Sequence, residues 1–127
     1  MEISIGDMKI GDGYKPLVVA EMSGNHNQSL ERALKLVDVA AECGAGAIKL
    51  QTYTADTMTI PGVMTIDDES SIWVGRELHE LYQEAYTPWE WHYPIFERAK
   101  EKGLLVFSTP FDETAVDFLE ELGVPRI

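Results

Sequence analysis

The order helix, glycine, apolar strand occurs three times in this chain, at Gly44, Gly103 and Gly123. No other feature narrows the fold as far. A glycine just past a helix closes it in the left-handed conformation, and a short apolar run after such a signal reads as a strand buried in a parallel sheet. Crossovers between parallel strands are almost always right-handed, so successive units coil the same way. Core strands are predicted at 17–20, 45–51 and 104–108, and 124–127 looks like the approach to a fourth. Such a set leaves an open sheet with a bare edge. Either the chain is a small open α/β domain or, as the poorly supported last helix favours, it is the first part of a larger barrel.

Residues 1–16 are short alternations broken at Gly6-Asp7 and Gly11-Asp12-Gly13, which predicts a β-hairpin ahead of a partial barrel domain over 17–127. Ser29 is placed to cap a helix whose apolar positions are Leu30, Ala33, Leu34, Val37, Ala40 and Ala41. A long insertion occupies 52–86. It is irregular as far as Ser71, with Pro61-Gly62 and the run Asp67-Asp68-Glu69, and then gives a helix with Val74, Leu78, Leu81, Tyr82 and Ala85 on one face. Thr87-Pro88-Trp89-Glu90 has the form of a capping box with proline at the first helical position. Its helix carries Ile95, Phe96 and Ala99, and Asp112 is placed to cap a last one with Val116, Phe118, Leu119 and Leu122 inward.

Lys and Arg number 10 against 22 Asp and Glu, a formal charge of -12. That balance excludes nucleic acid and an anionic membrane surface as principal partners, while leaving room for one local basic site. The single cysteine, Cys43, allows no intrachain disulfide and no metal cluster. No apolar run is long enough to span a bilayer and the N-terminus lacks signal-peptide form, so a soluble cytoplasmic protein is expected.

Chemistry is expected where the strands end. Glu21 closes the first core strand, and a carboxylate there must find a donor, a cation or water. It reads as an acid/base or ligand-orienting group, or as an acceptor of loop N–H groups. Asn25 either contacts a ligand or caps the following helix. Lys49 and Gln51, two apart near the end of the second strand, share one side of it. Lys49 suits a phosphate or carboxylate, or else an internal ion pair with Glu21 or Asp112. Ser108, Thr109 and the next helix N-terminus add anion donors. His26, His79 and His92 assemble no metal site, and neither common nucleotide-binding glycine motif is present. Trp73, Trp89, Trp91, Tyr82, Tyr86 and Tyr93 suggest aromatic packing or a subunit contact.

At Glu21 to His26, Lys49-Leu50-Gln51-Thr52 and Ser108-Thr109-Pro110-Phe111-Asp112, the chain resembles the sialic acid synthase family. Two longer blocks, at 53–59 and 81–92, are similar to the pseudaminic acid synthases within it. The resemblance implies a (β/α)8 TIM barrel, of which this chain supplies the N-terminal hairpin and about three βα units. It implies condensation of phosphoenolpyruvate with an N-acetylated amino sugar, giving a nine-carbon 2-keto sugar acid and phosphate. By position it makes Glu21 catalytic, near the sugar aldehyde, and Lys49 and Thr109 holders of phosphoenolpyruvate with Gln51 beside them. The divalent metal, Mn2+ or Mg2+, would take its ligands beyond residue 127. The longer protein is expected to be a homodimer, and the 127-residue piece alone to be inactive. The alternatives are an N-acetylneuraminate synthase, a Schiff-base aldolase or lyase acting through Lys49, and a barrel fragment without catalysis.

Overall fold

The computed structural model describes residues 2–124. Strands β1 (Glu2–Ile5) and β2 (Met8–Gly11) pair antiparallel about the Gly6-Asp7 turn, with Gly6 at φ 55°. This hairpin lies under the N-terminal ends of the later strands. A Cβ on Gly6 would stand 3.4 Å from Leu105, and one on Gly46 would stand 3.5 Å from Met8.

Strands β3 (Val19–Glu21), β4 (Ala47–Thr52) and β5 (Leu105–Pro110) form a parallel sheet in that order. Helix α1 (Leu30–Glu42) joins β3 to β4. Helices α2 (Ala55–Met58) and α3 (Leu78–Ala85), a 3-10 turn at Trp89–Trp91 and helix α4 (His92–Glu101) join β4 to β5, and α5 (Glu113–Glu121) follows. Strand β4 shows why one face can hold chemistry. Ile48, Leu50 and Thr52 are buried, while Lys49 and Gln51 alternate with them and are only half-buried. Ile48 and Leu50 pack with Val37 of α1, Ile95 and Phe96 of α4, and Val106 and Leu119. Each fully buried aliphatic side chain contributes about 1.5–3 kcal/mol.

The helix boundaries follow local chemistry. The Ser29 hydroxyl accepts from the Arg32 N–H at 3.2 Å, a cap worth about 1 kcal/mol. Gly44, at φ 83°, ends α1 where a side chain would be strained. Asp38 of α1 lies between Arg98 at 3.6 Å and Lys102 at 3.4 Å, tying α1 to α4 across the layer.

Several local expectations are corrected. The first core strand is not covered on both faces: Val18 is 60% exposed, and Val19 and Ala20 are half-buried, because β3 is an edge of the described sheet. The helix expected from Val74 begins at Leu78. Gly75 turns left-handed at φ 81°, and the backbone pairs Ile66 with Arg76 and Met64 with Leu78, so Val74 is left exposed. The insertion also holds the short α2, fastened to α3 by His79 Nε2 and Asp56 Oδ1 at 2.8 Å. Thr87 caps nothing, because its hydroxyl is engaged by His26 and the segment after Pro88 starts as a 3-10 turn. In α5 the buried line runs through Ala115 and Leu119, and Val116 is exposed. Trp89 and Tyr93 pack on Phe118, with ring centroids 4.9 and 5.9 Å away. The expected fourth-strand approach lies outside the described residues after Val124. Among the described residues no helix is long and apolar enough to cross a membrane.

Candidate functional site

Parallel register decides which side chains meet. Glu21 on β3 is paired with Lys49 on β4, and Gln51 on β4 is paired with Thr109 on β5. Lys49 is also in register with Phe107. Side chains in register on neighbouring strands share a face, so Glu21, Lys49, Gln51 and Thr109 stand together on the side away from the core helices. Strand spacing is about 4.8 Å and residues two apart along a strand lie about 6.6 Å apart, so the four groups occupy a patch the size of a small multivalent anion. Lys49 Nζ is 2.6 Å from Glu21 Oε1, with the lysine side chain 28% and the glutamate 51% exposed. The ion pair is thus open on one side, and the ammonium keeps donors beyond the one given to Glu21.

Ser108, expected among the anion donors, stands apart from this group. It is in register with Leu50, and strand alternation turns it to the helix side. There its hydroxyl lies 2.6 Å from Thr52 Oγ1, which lies 2.8 Å from His92 Nε2. His92 Nδ1 is 3.3 Å from the Pro88 carbonyl. A carbonyl only accepts, so Nδ1 carries the proton and Nε2 accepts from Thr52, which in turn accepts from Ser108. This fully directed chain fastens the residue after Gln51 to the residue before Thr109. Thr52 and His92 were missed by sequence reasoning. The available signal was their polarity on an otherwise apolar side of β4 and of α4.

The loop after Glu21 is held just as firmly. Met22 N–H donates to the Lys49 carbonyl at 3.0 Å, and the Asn25 amide donates to the Met22 carbonyl at 2.9 Å. Asn25 therefore closes a turn, and Ser29 is the cap. His26 is fully buried, accepts from Gln28 N–H through Nδ1 at 3.2 Å, and so presents Nε2–H to the Thr87 hydroxyl at 3.1 Å. Burial lowers its pKa below the ordinary histidine value, as it does for His92. Gln28 reaches the carbonyls of Glu84 and Tyr86 at 2.5 and 3.1 Å, which joins this loop to α3. Among the described residues no three His, Cys, Asp or Glu side chains are grouped to hold a metal ion. The three histidines are committed to Thr87, Asp56 and Thr52.

Comparison with known proteins agrees with this arrangement of strands. A pseudaminic acid synthase of Campylobacter jejuni subsp. jejuni is 47% identical over 121 residues, covering 89% of this chain and 34% of that protein. An N,N'-diacetyllegionaminic acid synthase of Legionella pneumophila is 35% identical over 118 residues, covering 92% of this chain and 33% of that protein. The crystal structure of N-acetylneuraminic acid (sialic acid) synthetase from Leptospira borgpetersenii in complex with citrate matches 98% of this chain and 39% of that one. Its TM-score is 0.79 at 31% identity. The parallel sheet described above is accordingly part of a TIM barrel, and the chain spans about a third of the length of the curated relatives it matches. The model of the NeuB family matches residues 36–127, from within α1 through β4 and β5. On that match, and on relatives that are sugar-acid synthases, this chain belongs to the NeuB family.

Proposed function

We propose that the protein, at its full natural length, condenses phosphoenolpyruvate with an N-acetylated amino sugar of the pseudaminic type, yielding a nine-carbon 2-keto sugar acid and phosphate. The observation that carries this reading is the register that sets Lys49 beside Glu21 and Gln51 beside Thr109 on one open face. Lys49, Gln51 and Thr109 are a cation and two neutral donors, suited to a phosphate and a carboxylate on one small molecule. The nucleophile is the enol carbon and the electrophile is the sugar's aldehyde carbon. As the methylene carbon bonds to the aldehyde carbon, the aldehyde oxygen takes up a proton and positive charge develops at the phosphate-bearing carbon; water adds there and loses a proton, and the carbon–oxygen bond to phosphate breaks to leave the 2-keto acid and inorganic phosphate. In this reading Glu21, anchored on Lys49, orients that water or takes its proton.

The pseudaminic type is favoured by the higher identity to a pseudaminic acid synthase, 47% against 35% to a legionaminic one. A divalent ion, Mn2+ or Mg2+, is proposed as cofactor; among the described residues no three His, Cys, Asp or Glu side chains fit it, and its ligands are proposed to lie elsewhere in the longer protein. The enzyme is further proposed to be a cytoplasmic homodimer, with the 52% exposed Tyr93 on α4 as one aromatic surface available to it. A Schiff-base aldolase is disfavoured because its lysine must act as a free amine in apolar surroundings, whereas Lys49 is ion-paired with Glu21.

The test is product formation from phosphoenolpyruvate and N-acetylated amino sugars with Mn2+, followed by phosphate release and by the mass of the keto acid. Wild type is expected to make both products. Glu21→Gln should lower turnover by about a hundredfold or more while leaving phosphoenolpyruvate affinity within about threefold. No product from any such sugar would contradict the synthase assignment, and full turnover by Glu21→Gln would remove Glu21 from the chemistry.

A further inference from the structure

Behind the Gln51–Thr109 pair, on the helix side of the sheet, the hydroxyls of Thr52 and Ser108 lie 2.6 Å apart. They are not register partners. Thr52 is level with Pro110 and Ser108 with Leu50, so their bond runs diagonally and crosses the seam of β4 and β5 where Gln51 faces Thr109. His92 holds the buried end of that diagonal through Nε2, 2.8 Å from the Thr52 hydroxyl. The imidazole is itself fixed. Its Nδ1–H donates to the Pro88 carbonyl at 3.3 Å, the Phe118 ring of α5 stands edge-on at 5.3 Å, and the Phe96 ring of its own helix lies 6.1 Å away.

Packing does not require this polarity. Thr52 and His92 are fully buried, and a buried pair of apolar groups of the same shape can be as stable as a hydrogen-bonded one. What an apolar pair lacks is direction: hydrogen bonds fix distances and angles, whereas hydrophobic contact is non-directional. The open face needs that direction. Among the described residues neither Gln51 nor Thr109 has a side-chain hydrogen-bond partner, so no hydrogen bond on their own side holds their spacing. Each is joined by one peptide link to an end of the diagonal, Gln51 to Thr52 and Thr109 to Ser108. The neighbouring seam, between β3 and β4, has its own fastening in the Glu21–Lys49 ion pair.

We infer that Thr52, Ser108 and His92 are positioning residues of the anion face, and that the diagonal they form sets the gap across which Gln51 and Thr109 share one phosphate or carboxylate group. The inference rests on the synthase assignment above and deepens it, by naming groups that act on phosphoenolpyruvate without touching it. Binding donors must be held to within about 0.5 Å, and a displacement of about 1 Å can cost about a hundredfold. Loss of the Thr52 hydroxyl leaves His92 Nε2 without its donor and Ser108 without its acceptor. Both strand ends are then released together.

Calorimetry on the protein at its full natural length tests this, with phosphoenolpyruvate as the probe, Mn2+ present and sugar absent. Thr52→Val keeps the shape and loses the hydroxyl, so it should bind about tenfold or more weakly. Thr52→Ser restores the hydroxyl and should stay within about threefold of wild type. Ser108→Ala cuts only the outer bond and leaves Thr52 on His92; it should keep the fold and bind about threefold to tenfold more weakly. His92→Phe, which removes the acceptor at the buried end, should weaken binding by about threefold or more. Val37→Ala truncates the same apolar core without touching the diagonal, and should bind within about twofold of wild type. A double-mutant cycle supplies the readout that lost stability alone would not move. In the Thr109→Ala background, the further loss from Thr52→Val should shrink to about threefold or less. Wild-type affinity in both Thr52→Val and Ser108→Ala, an undiminished loss in the Thr109→Ala background, or an equal loss in Val37→Ala would each overturn the positioning role and leave the synthase assignment standing. A wild type that binds no phosphoenolpyruvate would overturn both.

Discussion

His26 and His92 are both buried and both neutral, yet their partners fix opposite tautomers. His26 accepts a backbone N–H at Nδ1, so its proton sits on Nε2; His92 faces a carbonyl at Nδ1, so its proton sits there. A second proton on His26 would confront the Gln28 N–H, and one on His92 would confront the Thr52 hydroxyl and force the Ser108 chain to reverse. Burial lowers both pKa values below that of an ordinary, solvated histidine. The unfolded chain therefore takes up protons first as the pH falls. The stabilisation is complete above about pH 6.5 and is lost below it, by up to about 1.4 kcal/mol per pH unit for each histidine. Urea midpoints between about pH 7.5 and about pH 5.5 are expected to fall with acid. In His92→Phe, stability should drop by about 1–3 kcal/mol because Thr52 loses its acceptor, and the pH slope should lose about half its size. An unchanged slope would contradict a neutral buried His92. Sequence alone placed Lys49 and Gln51 on one side of their strand, because alternation within a strand is local. It could not place Ser108, since the register of β5 against β4 is set by packing between segments distant in the chain.

Thr87-Pro88-Trp89-Glu90 shows how a local pattern loses to a tertiary partner. Every residue type of a capping box is present, but Thr87 is 2% exposed and its hydroxyl lies 3.1 Å from His26, on a loop 61 residues away in the chain. Thr87→Val, which keeps the shape and removes the hydroxyl, is expected to cost about 1–2 kcal/mol by leaving the His26 Nε2–H unpaired. Glu90→Ala should stay within about 0.5 kcal/mol of wild type. Chemical denaturation of the two variants checks this, and a loss at Glu90 equal to that at Thr87 would restore the capping box. The caps at Ser29 and Asp112 were legible because each acts within its own turn. The start of α3 was not, because the pairing of 64–66 with 76–78 extends the chain where helical spacing alone would have continued the helix.

The helix–glycine–strand repeat made the parallel sheet and its order readable from the chain, and right-handed crossovers left little freedom in joining the units. What it could not reveal is what lies against the second face of that sheet. In the described residues the helices cover one face only, and the other carries the ion pair with Gln51 and Thr109. Catalysis is for that reason proposed only for the full natural length, where a closed barrel would exclude water from the polar face. The whole arrangement turns on one group, because Lys49 is the cation to which Glu21 is anchored and around which an anion would gather. Calorimetric titration of phosphoenolpyruvate into wild type and Lys49→Met, with Mn2+ present and sugar absent, measures this directly. Lys49→Met keeps the aliphatic stem and loses the ammonium, so phosphoenolpyruvate should bind about a hundredfold more weakly with the fold intact. Equal affinity in the two proteins would make Lys49 a structural partner of Glu21 and contradict the site at its centre.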